Sequence, residues 1–125
     1  MDPKELSDPE ATYRAIIDER VASTPSLAAR LLREEGVVGR AADDTDANEM
    51  VGRLSAADRA VLATLLDRER EAAFHEALAA LTWWMDCREV TWARAGQPMP
   101  TGYEGGLHQD YVGRRMGWEW PPRGR

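Results

Sequence analysis

A chain of 125 residues, 43% hydrophobic and 30% charged, has the composition of one ordinary globular domain. Its net charge of −6 argues against general nucleic-acid binding, because phosphate contacts need a concentrated basic face. The apolar runs are too short to cross a bilayer, the N-terminal residues are too polar for a secretory signal, and the single cysteine, Cys87, permits no internal disulfide. We therefore expect a cytoplasmic protein with neither a membrane nor a nucleic-acid partner.

Two short helices are predicted in the first 36 residues. Ser7 can cap the first helix, in which apolar residues recur at helical spacing from Tyr13 to about Ser23. Thr24-Pro25 provides a second helix start, and the helix that follows ends at Gly36.

A polar loop with three aspartates comes next. Asp43, Asp44 and Asp46 lack the alternating spacing, the central glycine and the closing glutamate of a calcium-binding loop. Asp46 is better explained as the N-cap of a short helix, with Glu49 completing the capping box.

The longest predicted element is a helix over residues 55–86, which Ser55 opens and no proline or glycine interrupts. Its apolar spacing predicts one continuous buried face. That face consists of Val61, Leu62, Leu65, Leu66, Ala72, Ala73, Ala77, Ala80, Leu81 and Trp84. Glu69 falls inside it, so we expect either an ion-pair partner for this carboxylate or a face that rotates and leaves it in water.

The residues after the long helix differ in composition from those before. All five tryptophans follow residue 82, and acidic residues no longer outnumber basic ones after residue 86. Residues 90–100 favour a short, irregular β-hairpin, because prolines cannot donate ladder hydrogen bonds. A glycine-rich link then leads to a last helix, Leu107–Met116, with Gly117 at its C-cap.

These elements predict a mainly α fold, with four to five helices around the central helix and a small irregular hairpin near residues 90–100. We expect a single helical domain over residues 1–122. It divides into an acidic helical body, residues 1–86, and a tryptophan-rich cap, residues 87–122, followed by a disordered tail at 123–125.

Candidate chemistry concentrates on the long helix and the cap. Glu71 and His75 are four residues apart and share a helix face, which His108 and Asp110 from the cap could join in a metal site. A carboxylate di-iron bundle needs Glu-x-x-His on two helices, however, and only one helix here has anything similar. We therefore predict no metal and no cofactor.

Catalysis is not favoured either. A nucleophilic Cys87 is disfavoured because the C-terminal end of a helix raises the pKa of a thiol. Serines sit where helix capping explains most of them. We assign no catalytic residue, and the sequence leans against an enzyme.

The tryptophans have two interpretations. In one, Trp84, Trp92, Trp118 and Trp120 close the end of the helical bundle. In the other, some rings stay exposed and bind a partner; this candidate interaction surface comprises Trp83, Trp92, Tyr103, Trp118 and Trp120. Neighbours on a helix cannot point the same way, so at least one of Trp83 and Trp84 should face outward or into a subunit contact.

Two runs of residues resemble a small family of uncharacterised bacterial proteins, a domain of unknown function. The first is Arg-acid-x-x-x-His-acid at Arg70–Glu76, and the second is Asp-aromatic-Val-x-Arg-x-x-Gly-x-x-Trp-Pro at Asp110–Pro121. The resemblance covers about residues 50–121 and implies no activity. It implies one shared arrangement, either a site or a structural clasp, that folds the cap against the middle of the long helix and comprises His75, Glu76, Arg114 and Trp120.

The function we predict is a non-enzymatic protein-interaction module. The partner is either an unknown protein, for which an acidic surface suits a basic one, or a second copy in a homodimer. The alternative is a small-molecule or metal-binding protein with its site between the central helix and the cap. That ligand set comprises Arg70, Glu71, His75, Glu76, His108, Asp110 and Arg114.

Overall fold

The computed structural model describes residues 8–122 and confirms the mainly α fold, the long central helix and the small hairpin. In chain order, its elements are α1 (Pro9–Ala22), α2 (Leu27–Glu34), a 3-10 turn (Ala42–Asp44), α3 (Thr45–Gly52), α4 (Ala56–Cys87), β1 (Ala93–Arg94), β2 (Gln97–Pro98) and α5 (Leu107–Arg115). Within this described part of the chain, none of the helices combines the length and apolar character that a bilayer crossing requires.

Side-chain caps explain where the helices begin. The hydroxyl of Ser55 accepts a hydrogen bond from the backbone N–H of Asp58 at 3.1 Å, so the predicted start of α4 is confirmed. Helix α2 is capped by Ser26, directly after the Thr24-Pro25 restart. At the start of α1 the Asp8 carboxylate accepts from a backbone N–H two residues on, at 2.9 Å. The predicted cap Ser7 lies outside the described residues.

The short helix after the aspartate loop begins earlier than predicted. Helix α3 starts at Thr45, so the prediction of Asp46 as its N-cap is wrong. The Asp44 carboxylate instead accepts from the backbone N–H of Ala41 at 2.9 Å, which stabilises the preceding 3-10 turn. Asn48 ties the loop to α3 by accepting from the N–H of Val38 at 2.8 Å.

The predicted buried face of α4 is wrong. Of its ten residues, only Leu62 and Leu81 are partly buried, and the other eight are exposed, including Val61 at 61% and Leu65 at 53%. Glu69 is exposed too, which agrees with the second alternative above: the packed face of α4 is rotated, and this carboxylate is in water. The physical reason is that α4 is apolar on more than one side, and periodicity alone does not say which side packs.

The chain groups into two compact units, and helix α4 contributes to both. The first unit, Ser23–Ala72, has a small core of Ala29, Leu32, Val51 and Ala63. Its buried carboxylate, Asp67, accepts from the backbone N–H of Ser26 at 3.0 Å and from the Arg33 guanidinium at 3.1 Å. These bonds satisfy a charge that would otherwise be costly to bury.

The second unit combines the described residues up to Ala22 with those from Ala73 onward. Its core consists of Tyr13, Ile17, Met85, Leu107 and Tyr111. The cap therefore shares a unit with α1 and the last part of α4, and the predicted division at residue 86 does not coincide with the observed grouping. That residues 1–122 form a single domain stays a prediction, and the tail at 123–125 lies outside the described residues.

The hairpin in the second unit has a tight turn and a return segment held by Trp92. Its strands pair antiparallel with Ala93 opposite Pro98, and the turn residues Ala95 and Gly96 have φ of 48° and 79°. Two consecutive positive φ values are typical of a type I′ turn. Beyond it, the Trp92 indole donates to the carbonyl of Pro100 at 2.8 Å, which holds the return segment beside the ring.

Candidate functional site

Asp110 is the most completely buried polar residue of the second unit. Its side chain is 0% exposed and accepts three hydrogen bonds. One comes from the hydroxyl of Tyr13, and two come from the backbone N–H groups of Tyr103 at 2.9 Å and Glu104 at 3.0 Å. Because Asp110 lies in the first turn of α5, these bonds tie the loop before α5 and helix α1 to one carboxylate.

Glycines make the tight path of this loop possible. A Cβ atom on Gly102 would lie 2.6 Å from the backbone of Gly106, and both residues have positive φ, 118° and 149°. Any larger residue at either position would be strained and would push the loop off the Asp110 carboxylate.

Tyr13 is the centre of an aromatic cluster around this carboxylate. Its ring meets those of Trp92, Tyr103 and Trp120 edge-on, with centroids 5.7–5.9 Å apart. Burial, followed by the hydrogen bond to Asp110, raises the pKa of Tyr13 well above that of a free tyrosine. Tyr13 is therefore a neutral hydrogen-bond donor at any physiological pH.

A second group of contacts joins the C-terminal run to α1 through Asp18. The Arg114 guanidinium donates to the Asp18 carboxylate at 2.7 and 3.3 Å, and the Trp120 indole donates to the same carboxylate at 3.0 Å. Arg114 also donates to the carbonyl of Trp118 at 2.7 Å and lies over the Trp120 ring. Each guanidinium nitrogen of Arg114, like the indole nitrogen of Trp120, thus donates a hydrogen bond within the protein.

Arg14 extends the same set of contacts along α1. It donates to the carbonyl of Pro121 and to the carboxylate of Glu10, both at 2.8 Å. The hydroxyl of Tyr103 donates to Glu10 at 2.8 Å, and the pKa of Tyr103 is raised by burial and by this bond. The C-terminal run is thus held to α1 at both ends by charge-assisted hydrogen bonds. Tyr13 binds Asp110 at its start, and Arg14 binds Pro121 at its end.

The members of the predicted ligand set that fall in the second unit have different surroundings, and a ligand site formed by the whole set stays a prediction. Asp110 and Arg114 are occupied by the bonds above, Glu76 is exposed, and Arg70 donates to the carbonyl of Ser23 at 3.1 Å. Arg70 and Glu71 fall in the other compact unit. No cluster of three or more His, Cys, Asp or Glu side chains with metal-binding geometry occurs in residues 8–122.

Two members of that set do meet. The rings of His75 and His108 lie edge to face with centroids 5.3 Å apart. The Nδ1 atom of His108 is buried and has no hydrogen-bond partner among the described residues. Like Arg14 Nε, which is also buried without a hydrogen-bond partner in this part of the chain, this imidazole nitrogen is a polar atom of the second unit that a ligand could still satisfy.

The predicted interaction aromatics divide into two groups. Trp92, Tyr103 and Trp120 pack against the core, and Trp118 meets Trp120 edge-on at 5.2 Å. Closure of the bundle therefore describes Trp92 and Trp120, but it does not describe Trp84, which is 51% exposed. A role for any of these aromatics in binding a partner stays a prediction.

Trp83 and Trp84 form the largest exposed aromatic surface of the second unit. Trp83 is 46% exposed, its ring lies 5.3 Å from that of Trp84, and the Arg88 guanidinium lies over it at 5.3 Å. Both rings leave the core because the packed side of this part of α4 is supplied by other residues. Those residues are Phe74, Leu78, Leu81 and Met85.

The exposed residues one position before each of these, Ala73, Ala77, Ala80 and Trp84, form a regular series, which Cys87 continues three residues after Trp84. We call this series the exposed seam of α4, defined as Ala73, Ala77, Ala80, Trp84 and Cys87. Sequence reasoning assigned most of them to the core and included neither Trp84 nor Cys87 in an interaction surface. Their alternating spacing of four and three residues was visible in the sequence and could have identified a second helical face.

Comparison with known proteins identifies a family without an assigned activity. Searches of curated proteins and of solved structures found no significant match. A family model described as a family of unknown function, DUF6547, matches residues 7–122. Since that match covers nearly the whole sequence, the chain belongs to the DUF6547 family of unknown function.

Proposed function

We propose that this protein is a non-enzymatic, cytoplasmic interaction module that binds another protein through the exposed seam of α4 and the adjoining Trp83. The observation that carries the proposal is the pair of half-exposed tryptophans on a helix whose neighbouring face already fills the core. Single exposed apolar residues are normal on protein surfaces, but two large rings in contact form a patch.

The size of this patch is consistent with a contact that matters energetically. Trp83 and Trp84 are 46% and 51% exposed, so together they leave roughly 240 Å² of surface in water, taking a full area near 250 Å² each. At about 25 cal/mol per Å², covering both rings contributes about 6 kcal/mol before the entropy of association is subtracted. Tryptophan is also enriched among the residues that dominate binding energy.

The remaining chemistry of the second unit supports the non-enzymatic part of the proposal. Polar residues of the C-terminal run are engaged by other residues of the second unit: Asp110 receives three donors, and Arg114 and Trp120 both bind Asp18. A group engaged in this way stabilises the fold and is not available to a substrate. We therefore interpret the run as a structural clasp.

Site-specific photo-crosslinking in living cells tests the proposal. A photo-reactive amino acid replaces Ala80, at the centre of the exposed seam, and in a matched control it replaces Met116, which is 78% exposed but lies outside the seam. We expect a protein adduct from position 80 and none from position 116. Equal adduct formation at both positions, or none at position 80, would contradict an interface at the seam.

The second candidate function is binding of a small molecule or metal ion beside His75 and His108. The unpartnered Nδ1 of His108 supports it. Imidazole is a good ligand for zinc and nickel, so either ion is a suitable probe. If the pair binds, Zn²⁺ or Ni²⁺ should raise the melting temperature of the native protein, and His75→Ala should remove the rise. No shift with either ion would eliminate metal binding at this pair.

A further inference from the structure

We infer that the protein on the exposed seam is a second copy of this chain, with the two α4 helices packed antiparallel about a two-fold axis between Ala77 and Ala80. This inference rests on the proposed function, because it names the partner of the same surface. Three properties of the seam carry it: its spacing, its pattern of large and small residues, and its lack of charge.

The spacing of the seam is that of a helix–helix contact. Successive residues from Ala73 to Cys87 are separated by four, three, four and three positions, and every one of them is exposed. Alternation of four and three places a continuous line of side chains along one side of a helix, as in the a and d positions of a coiled coil. A second helix can therefore follow the line over about four turns.

The pattern of side-chain size favours the antiparallel orientation. With the axis between Ala77 and Ala80, each of these residues faces the other in the partner, and Trp84 faces Ala73 of the partner subunit. A large ring then fills the space that a small residue leaves. In a parallel pair, Trp84 would face its own copy while alanine faced alanine, so bulky and empty layers would alternate. The helix dipoles also oppose one another favourably in the antiparallel pair.

The charge of the chain restricts where two copies can meet. Each copy carries a net charge of −6, so contact through most of its surface brings like charges together. The seam residues that face one another across the axis, Ala73, Ala77, Ala80 and Trp84, include no Asp, Glu, Lys or Arg. An uncharged, self-complementary surface is therefore the place where a second acidic copy is accepted most readily.

The area of the seam sets the expected strength. The three alanines and Trp84 of the seam, together with the adjoining Trp83, offer roughly 400 Å² per copy, or about 800 Å² in total, which is below the range of stable interfaces. We therefore expect a weak dimer that dissociates on dilution, and not an obligate dimer.

Sedimentation equilibrium of the purified chain tests the inference. We expect the average mass to rise from 14.0 kDa toward twice that value as the concentration increases from about 1 μM to about 1 mM. Ala77→Glu, which places two like charges beside the axis, should keep the protein at the monomer mass. The control Met116→Ala should behave like the native chain. A native mass of 14.0 kDa at every concentration overturns the inference.

Cysteine cross-linking tests the orientation. Position 80 lies beside its own copy near the axis, so Ala80→Cys in a Cys87→Ser background should form a disulfide-linked dimer under mild oxidation. In the antiparallel pair, the two Cys87 thiols of the native chain lie about 25 Å apart along the helices, at ~1.5 Å per residue, which is too far for a bond. A native chain that cross-links through Cys87 as readily as the position-80 variant refutes the antiparallel arrangement.

Failure of the dimer and failure of the proposed function have different signatures. If the chain sediments as a monomer at about 1 mM while the photo-reactive group at position 80 captures a different protein, the second copy is excluded and the interaction module stands. If position 80 captures nothing and the chain is a monomer, both proposals fail. An adduct of twice the chain mass, together with a concentration-dependent dimer, supports both.

Discussion

Replacement of Asp110 by asparagine should destabilise the second unit strongly, although it removes only a charge and one acceptor. The carboxylate accepts from Tyr13 and from the backbone N–H of Tyr103 at one oxygen, and from the backbone N–H of Glu104 at the other. In its best orientation, an amide keeps the oxygen with two donors and turns its own NH₂ group toward the N–H of Glu104. One buried donor is then left without an acceptor.

The magnitude follows from these bonds. An unsatisfied buried donor costs about 1–3 kcal/mol, and each of the two surviving bonds weakens by roughly 0.5–1 kcal/mol when the acceptor loses its charge. The smaller desolvation cost of a neutral side chain offsets part of this loss. We expect the free energy of unfolding to fall by about 2–4 kcal/mol, which is a large fraction of the ~5–15 kcal/mol typical of a domain.

Urea unfolding followed by tryptophan fluorescence is a suitable assay, because all five tryptophans lie in the second unit. The matched control is Asp86→Asn, which makes the same chemical change at an exposed position of α4. The control should shift the free energy of unfolding by no more than ~0.5 kcal/mol. If Asp110→Asn costs no more than its control, the three hydrogen bonds do not stabilise the unit and the reasoning is wrong.

Three further predictions concern the same fold. Asp18→Asn should lower the free energy of unfolding by about 1 kcal/mol, because the ion pair to the C-terminal run is only partly buried. The control Glu19→Gln, on the exposed side of α1, should lower it by less than ~0.5 kcal/mol, and the urea unfolding midpoints of the two variants measure the difference. Ser55→Ala should remove the α4 cap and lower the free energy of unfolding by about 1 kcal/mol, measured by unfolding followed by circular dichroism. The pKa of Tyr13 is raised on folding, so above the unfolded value near 10 the folded state holds more protons and stability should fall with rising pH, by up to about 1.4 kcal/mol per unit. Tyr13→Phe should flatten this decline in a pH series of unfolding curves, and an unchanged slope would contradict the assignment.

The long helix and the hairpin could be predicted because local signals determine them. Ser55 supplies a cap, no helix breaker follows before Cys87, and a glycine stands at the hairpin turn beside residues that favour strands. Such signals act over a few residues and survive in any tertiary context that does not oppose them.

The packed side of α4 could not be predicted in the same way. Alanines and leucines occupy several sides of the helix, so the apolar pattern fits more than one face. The choice is made by the partners: Phe74, Leu78 and Met85 meet the Tyr13 cluster, which leaves Trp84 outside. The sequence of α4 alone does not show which of its apolar faces these partners cover.

The role of the C-terminal run was predictable only in part. The resemblance grouped Arg114 and Trp120, and the structure joins them at 2.7 and 3.0 Å from one carboxylate. That carboxylate is Asp18 on α1, a residue outside both resembling runs, and α5 packs chiefly against α1. Contacts between residues about 100 positions apart depend on the path of the chain, which short-range patterns do not specify.

Oxidative footprinting of the native chain tests the central claim most directly, since it reports on the exposure of individual tryptophans. Trp84 is 51% exposed, whereas Trp92 is held against the core and serves as an internal reference. The account predicts that oxidation of Trp84 by hydroxyl radicals decreases as the protein is concentrated from about 1 μM to about 1 mM, while that of Trp92 does not change. Equal oxidation of Trp84 at both concentrations would contradict self-association through the exposed seam.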